Sequence, residues 1–123
     1  MANYVLDQGL AGITSVMSST IVDLSVGTGT TAVDPAQTAL VAVITGSGLD
    51  KGAATVTQQT TTTANDTLRL VKAWTVTGTK AITEIGAGAT GSGTLYARCL
   101  TSATKNVSSG DQFTATVSLV FTN

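Results

Sequence analysis

The clearest hydrophobic pattern lies at the end of the chain. Apolar residues there occupy every second position, namely Phe113, Ala115, Val117, Leu119 and Phe121. The positions between them are polar except for Val120. Strict alternation of this kind predicts a β-strand with one buried face. If that strand is central and buried, Phe121→Ala should cost about 3 to 5 kcal/mol.

A second long apolar run covers residues 67–77. One face of the predicted strand carries Leu68, Leu70, Trp74 and Val76. Lys72 shares that face, and Val71 and Ala73 lie on the other. Apolar residues on both faces are typical of a strand that is covered on both sides, here for part of its length.

Several shorter runs also predict strands. Residues 81–86 and 94–101 flank a glycine-rich loop at 87–93, which predicts an antiparallel hairpin. Upstream, residues 19–26 and 40–45 are apolar and β-branched, and residues 53–63 are rich in threonine. The four threonines at 60–63 are expected to form an exposed strand end or a loop.

Two segments have helical features. Asp34, Pro35 and Gln37 match an N-cap, a first helical position and a capping-box glutamine, which predicts a single helical turn that ends before Val41. Near the N-terminus, apolar residues recur at helical spacing: Leu6, Leu10, Ile13 and Met17. Gly9 and Gly12 weaken a helix there, so a helix and an extended arm both remain open.

These patterns predict an all-β fold, an antiparallel β-sandwich for which a jelly roll is one candidate topology. It would carry one short helical turn, at Asp34, and an N-terminal arm or helix over residues 1–18. Residues 19–123 would form a single sandwich domain, since no repeat, linker or change of composition divides them.

Composition strengthens the β assignment and removes several chemistries. Threonine accounts for 25 of the 123 residues, a bias that favours strands. The chain has no histidine and one cysteine, Cys99, which we expect to be a small buried apolar residue. A Ser-His-Asp or Cys-His unit cannot be assembled, and the aspartates are spread singly, so we expect no enzyme, metal site or cofactor.

Charge and hydropathy limit the classes of partner that we expect. Six Lys and Arg residues face seven Asp and Glu residues, so no basic surface is available for nucleic acid. The N-terminus lacks the basic and apolar regions of a signal peptide, and no apolar stretch approaches the roughly 18 residues of a membrane span. We expect synthesis in the cytoplasm and no contact with a membrane or nucleic acid.

A glycine motif and a pair of opposite charges are the two candidate sites. The glycines at 27 and 29 with Ala32 match a permissive dinucleotide fingerprint, but no helix begins there, so a tight turn after a strand is the better interpretation. Glu84, the only glutamate, and Arg98 lie on the two strands of the predicted hairpin. If Glu84 lies directly opposite Arg98, the numbers of any two paired residues in the hairpin sum to 182. This register predicts an ion pair between Glu84 and Arg98 on a sheet face; an ion pair to a neighbouring subunit is the alternative.

Two sets of short motifs occur in a fixed order along the chain. Residues 24–40 contain the turn GTGTT, Asp34, Pro35 and the sequence TAL. The second set is ITEIG at residues 82–86, GTLYAR at 93–98 and Gly110 with Asp111 before the last strand. In these motifs the chain resembles small structural proteins and domains of tailed bacteriophages and prophages. Members often carry an acidic residue after TAL and a bulky apolar one after EIG, where this chain has Val43 and Ala87.

The resemblance implies a virion structural protein and not an enzyme. We expect a capsid decoration or cement protein that binds the major capsid protein or other virion proteins and associates with itself, for example as a trimer. A tail, baseplate or fibre component is the alternative, and a receptor- or glycan-binding module is a third. The expected contact residues are Tyr4, Leu6, Leu10, Ile13, Gly88 and Gly91, with Glu84 and Arg98 as a structural pair.

Overall fold

The computed structural model describes residues 3–91 and 93–123. One helix and seven strands are formed within them: α1 (Asp7–Met17), β1 (Asp23–Gly27), β2 (Gly52–Ala53), β3 (Thr55–Gln59), β4 (Thr67–Thr75), β5 (Lys80–Gly88), β6 (Leu95–Val107) and β7 (Gln112–Val120). The helix is too short to cross a membrane, and no other helix occurs in the described residues. The predicted all-β fold is confirmed.

The strands form two antiparallel sheets that pack together as a sandwich. The first has the order β2-β1-β5-β6 and the second the order β3-β4-β7. This four-plus-three arrangement differs from the eight strands of a jelly roll. Both β6 and β7 lie at the edge of their sheets, and the chain between them crosses from one sheet to the other.

The core lies between the two sheets. Fully buried side chains from the first sheet are Leu24, Val26 and Ile82, and those from the second are Leu68 and Leu70. Trp74 of β4 joins them; its ring stands 5.9 Å from that of Phe113, and its Nε1 donates to the Asp50 carbonyl oxygen at 2.8 Å. Leu68, Leu70 and Trp74 thus face the core, as alternation along β4 predicts.

The other face of β4 is less covered than its sequence predicts. Ala73 is exposed and Val71 is half-buried, so the strand is covered mainly on one side. The last strand alternates as predicted, but it is an edge strand and ends at Val120. Phe121 follows it and is only half-buried, so the cost expected for a central, buried phenylalanine does not apply.

The hairpin of β5 and β6 is confirmed, with longer strands than predicted. Ala89 N–H donates to the Thr94 carbonyl and closes the connection. Residues 19–26 form a strand only from Asp23, because the backbone before it completes the end of α1; the N–H groups of Ser19 and Thr20 bond to carbonyls of the last helical turn.

Residues 40–45 do not form the predicted strand. Val43 makes a single bridge to Gly27, and no ladder follows. The N–H groups of Val41 and Ala42 donate to the carboxylate of Glu84. Because a side chain takes up these donors, they are not available to a neighbouring strand.

The predicted helical turn at Asp34 is a hydrogen-bonded turn without a helix. Asp34 Oδ1 accepts from Ala36 N–H at 2.7 Å, and Gln37 Oε1 accepts from Asp34 N–H at 3.1 Å. The bond to Gln37 is one of the two bonds of a capping box, whereas the Asp34 carboxylate caps the N–H two residues on and not that of Gln37. The cap is satisfied, but the chain leaves the helical path immediately after it.

The threonine-rich loop before β4 is held by a buried carboxylate, Asp66. Its two oxygens accept from the backbone N–H groups of Thr61, Thr62 and Thr63 and from the hydroxyl of Thr67. The bonds from Thr63 and Thr61 act most strongly, and together with the others they outweigh burial and hold the pKa of Asp66 well below its usual range. Residues 60–63 therefore form an ordered loop, as one of the two alternatives predicted.

Candidate functional site

A buried glutamate organises the outer face of the four-stranded sheet. Alternation in β5 turns Ile85 and Ala87 towards the core and places Glu84 on the opposite face, where it is completely buried. Glu84 Oε1 accepts from the N–H groups of Gly29 (3.1 Å) and Ala42 (2.8 Å). Glu84 Oε2 accepts from Val41 N–H at 3.1 Å and from Arg98 Nε at 2.7 Å.

Arg98 completes the network from β6. Its side chain is 3% exposed. Nη1 donates to Gln37 Oε1 at 3.0 Å, and Nη2 donates to the Thr31 carbonyl at 2.9 Å. Arg98 therefore binds Glu84 and both ends of the segment that includes the capping-box turn.

The predicted register of this ion pair is wrong by two residues. The partner of Arg98 across the ladder is Gly86 and that of Glu84 is Leu100, so the numbers sum to 184. The ladder is irregular between Ile82 and Glu84 and again after Ala87. Such irregularities insert residues on one strand, which alternation alone cannot locate. The pair is thus diagonal, and it is buried rather than on an open sheet face.

Two glycines make room for the carboxylate. A Cβ atom at Gly27 would collide with Glu84 Oε1 and the Ala42 carbonyl, and one at Gly29 would lie 2.6 Å from both Glu84 Oε1 and Val41 Cβ. The glycine motif after β1 therefore serves close approach to a side chain, not to a phosphate.

The charge on Glu84 is favoured despite its burial. Burial by itself raises the pKa of this carboxyl group. The opposing hydrogen bonds from Ala42, Arg98, Val41 and Gly29 are stronger in sum, so its pKa lies below the usual value. A carboxylate held in this state is a poor proton donor at neutral pH.

Residues 28–43, which we term the anchored loop, are fixed by this network. Leu40 Cδ2 packs over Gly86 beside Leu95 Cδ1, so the loop is also held by apolar contact. Val33, Val41 and Val43 are each about half exposed on it. A groove of about 250 Å³ separates the loop from the exposed Tyr96 of β6.

A second exposed apolar surface lies on the N-terminal segment. Tyr4 is 76% exposed, Leu6 and Val16 are both 68% exposed, and Ile13 is 37% exposed. We term these four residues the N-terminal surface. The start of the segment is attached to the last residue of the chain, since Asn123 Nδ2 donates to the Val5 carbonyl at 2.8 Å and to Asp7 Oδ1 at 2.9 Å.

Two of the predicted contact residues are not accessible. Leu10 is 2% exposed because α1 turns Leu10 and Thr14, not Leu6 and Ile13, towards the sandwich. Thr14 Oγ1 bonds to the Asn65 carbonyl at 2.7 Å, which fixes that orientation. Gly88 belongs to β5 and is buried.

The remaining predicted positions reach the surface. Gly91 is exposed in the hairpin turn, where its carbonyl accepts from Lys51 Nζ at 2.6 Å. It lies outside the N-terminal surface that contains Tyr4, Leu6 and Ile13.

Cys99 is free and exposed, not buried as predicted. It lies on edge strand β6, where the side of the sandwich is open. Partial burial raises the pKa of its thiol, against the smaller opposite effect of the Arg98 charge. Within the described residues, no group of three or more Cys, Asp or Glu side chains could hold a metal ion.

Sequence reasoning identified Glu84 and Arg98 but missed Gln37 and the backbone donors of Val41 and Ala42. Those N–H groups leave no signal in the sequence. The one signal in the sequence is that the only glutamate, Glu84, lies in a predicted strand and that Gly27 and Gly29 follow another strand, because glycines permit close approach of another group.

Comparison with known proteins gives no relative. No family model matches the chain, and no curated protein and no solved structure matches it at a significant level.

Proposed function

We propose that this chain is a non-enzymatic virion structural protein, most specifically a capsid decoration or cement protein. The observation that carries the proposal is the convergence of its matching motifs. Gly29 and Arg98 bond to Glu84, and Arg98 also bonds to Gln37. All four residues lie in the segments 24–40, 82–86 and 93–98, which resemble phage structural proteins. Motifs far apart in sequence thus form one structural unit, which supports treating the resemblance as a whole.

The surfaces suit a protein that acts by contact. The anchored loop and the N-terminal surface present half-exposed or exposed apolar side chains on a backbone fixed by hydrogen bonds. A backbone that is already fixed by hydrogen bonds has little conformational freedom left to lose on binding. Each bound copy would favour the assembled shell over its dissociated state by mass action.

Copy number tests the proposal. Particles purified from cells that produce this protein would be analysed by quantitative mass spectrometry against the major capsid protein. Hundreds of copies per particle are expected for decoration. A dozen or fewer would favour the alternative tail, baseplate or fibre location, and absence from purified particles would overturn the proposal.

Binding by surface variants tests the mechanism. Leu6→Asp introduces a charge on the N-terminal surface, where Leu6 is 68% exposed, and should release the protein from particles in a sedimentation assay without loss of folding. Thr104→Asp is the matched control, since Thr104 is exposed on β6 far from that surface in sequence. Equal binding of both variants would exclude the N-terminal surface as the contact.

A further inference from the structure

The two sheets have four edge strands, and two of them are poorly suited to pair with another chain. Strand β2 has two residues. Strand β3 has five, and its Gln58 donates through Nε2 to the Ala11 carbonyl at 3.1 Å, so α1 flanks this edge. Short or flanked edges are common protection against strand addition.

The third edge, β6, is long but irregular. Its ladder with β5 is interrupted twice, and it carries Arg98 and Lys105. Irregular pairing and charged side chains both oppose regular extension of a sheet.

The fourth edge, β7, has none of these features. It pairs with β4 over nine consecutive residues without a register shift. No charged residue, glycine or proline occurs between Gln112 and Val120. A regular, uncharged strand with one unpaired edge is a template for addition of another strand.

We infer that β7 pairs with β7 of a second copy, antiparallel about a twofold axis, to form a continuous six-stranded sheet. With Thr116 on the axis, all nine residues of each strand find a partner. Phe113 then lies opposite Leu119, Ala115 opposite Val117, and Thr114 opposite Ser118 of the second copy. In this register odd-numbered residues pair with odd-numbered ones and even with even. Because successive residues of a strand face opposite sides of the sheet, inward-facing residues of one copy lie opposite inward-facing residues of the other.

The strand is complementary to itself in this register. The largest inward side chain, Phe113, meets leucine, and the small Ala115 meets valine. The central outward pairs are hydroxyl to hydroxyl, and at the two ends Gln112 meets Val120. Aromatic–aliphatic and threonine–serine pairs stabilise antiparallel ladders. No like charges are opposed, since β7 has no charged residue, and one patch serves both copies, as a twofold interface requires.

The neighbouring surface continues the same apolar face. Between β6 and β7 the sandwich opens into a slot of about 220 Å³, whose apolar lining includes Ile85, Ala97, Val117 and Leu119 and whose polar lining includes Arg98, Thr116 and Ser118. The inward residues of a second β7 would extend the floor of this slot. The inference does not rest on the virion proposal, and it replaces the expected trimer with a twofold pair.

Mass measurement of the purified protein is the first test. Sedimentation equilibrium over a range of concentrations should give twice the chain mass of 12.3 kDa. Thr116→Lys, at an exposed position, would place two like charges on the axis and should give a monomer with an unchanged circular dichroism spectrum. A monomeric or trimeric wild type, or a variant that still dimerises, would overturn the inference.

Cross-linking tests the register without disturbing the strand. In a Cys99→Ser background, Thr116→Cys should form an intermolecular disulfide under mild oxidation, because the two positions would face each other. Thr114→Cys is the matched control; its own copies would be four residues apart along the strand, about 13 Å, and should not link. Linking of the control and not of the Thr116 variant would exclude this register.

Discussion

Glu84 has no exposed surface, and its charge is balanced by one guanidinium and three backbone N–H groups. An ion pair this deeply buried gains little net stability over apolar residues, but removal of one partner leaves an uncompensated charge. Sequence reasoning could pair Glu84 with Arg98 because they are isolated opposite charges on adjacent strands. It could not supply the burial, which depends on a loop that closes over them.

Replacement of the glutamate tests this balance. Glu84→Gln should lower the free energy of unfolding by roughly 3 to 5 kcal/mol, because Arg98 stays buried without its counter-charge. Urea denaturation at neutral pH measures the change. The double variant Glu84→Gln/Arg98→Met is the control and should be more stable than the single variant; equal or lower stability would show that the unpaired charge is not the cause.

Acid should destabilise the protein through the same kind of group. The pKa values of Asp66 and Glu84 are both lowered on folding. Their contribution is fully present above the unfolded-state pKa, about 4, and is lost as the pH falls below that value towards the folded-state pKa. Urea unfolding at pH 7 and pH 3 should show this loss, and Asp66→Asn should reduce it. An identical loss in wild type and variant would contradict the assignment.

At the scale of elements, the alternation of apolar and polar residues located the strands whose backbone N–H groups bond to other strands. Strands β4 and β7 and the β5–β6 hairpin follow from alternation and turn residues. It failed at residues 40–45, where Glu84 bonds to backbone groups more than 40 positions away in sequence. It also failed to rank the strands, since alternation does not distinguish an edge strand such as β7 from a central one such as β4.

Two substitutions measure that difference in position. Leu70→Ala, on central strand β4 at a completely buried site, should cost about 2 to 5 kcal/mol. Phe121→Ala, at a half-buried site beyond the end of β7, should cost less, about 1 to 2 kcal/mol. Urea denaturation of both variants makes the comparison. A larger loss for the phenylalanine variant would mean that the end of β7 is covered in solution.

At the scale of the whole molecule, both sheets contribute to one core. Leu24, Val26 and Ile82 from the first sheet and Leu68 and Leu70 from the second belong to the same buried cluster. The helix packs against the second sheet, where Gln58 Nε2 of β3 donates to Thr14 Oγ1 at 2.7 Å. Without the other sheet, the apolar inner face of either sheet would be exposed to solvent.

Unfolding should therefore be a single cooperative transition. Trp74 is 4% exposed and its indole N–H is bonded to Asp50, so its fluorescence reports on the core. Far-ultraviolet circular dichroism reports on both sheets together. The two signals should change at the same urea concentration, and two separated midpoints would contradict a shared core.

The anchored loop has a consequence for how this protein could change over evolutionary time. Glu84 and Arg98 hold it mostly through backbone atoms, those of Gly29, Thr31, Val41 and Ala42. Backbone groups are the same whatever side chain a residue carries, so exposed positions such as Val33 and Ala36 are free to vary without loss of the frame. The fold can thus keep one scaffold while its outer residues acquire a new binding preference.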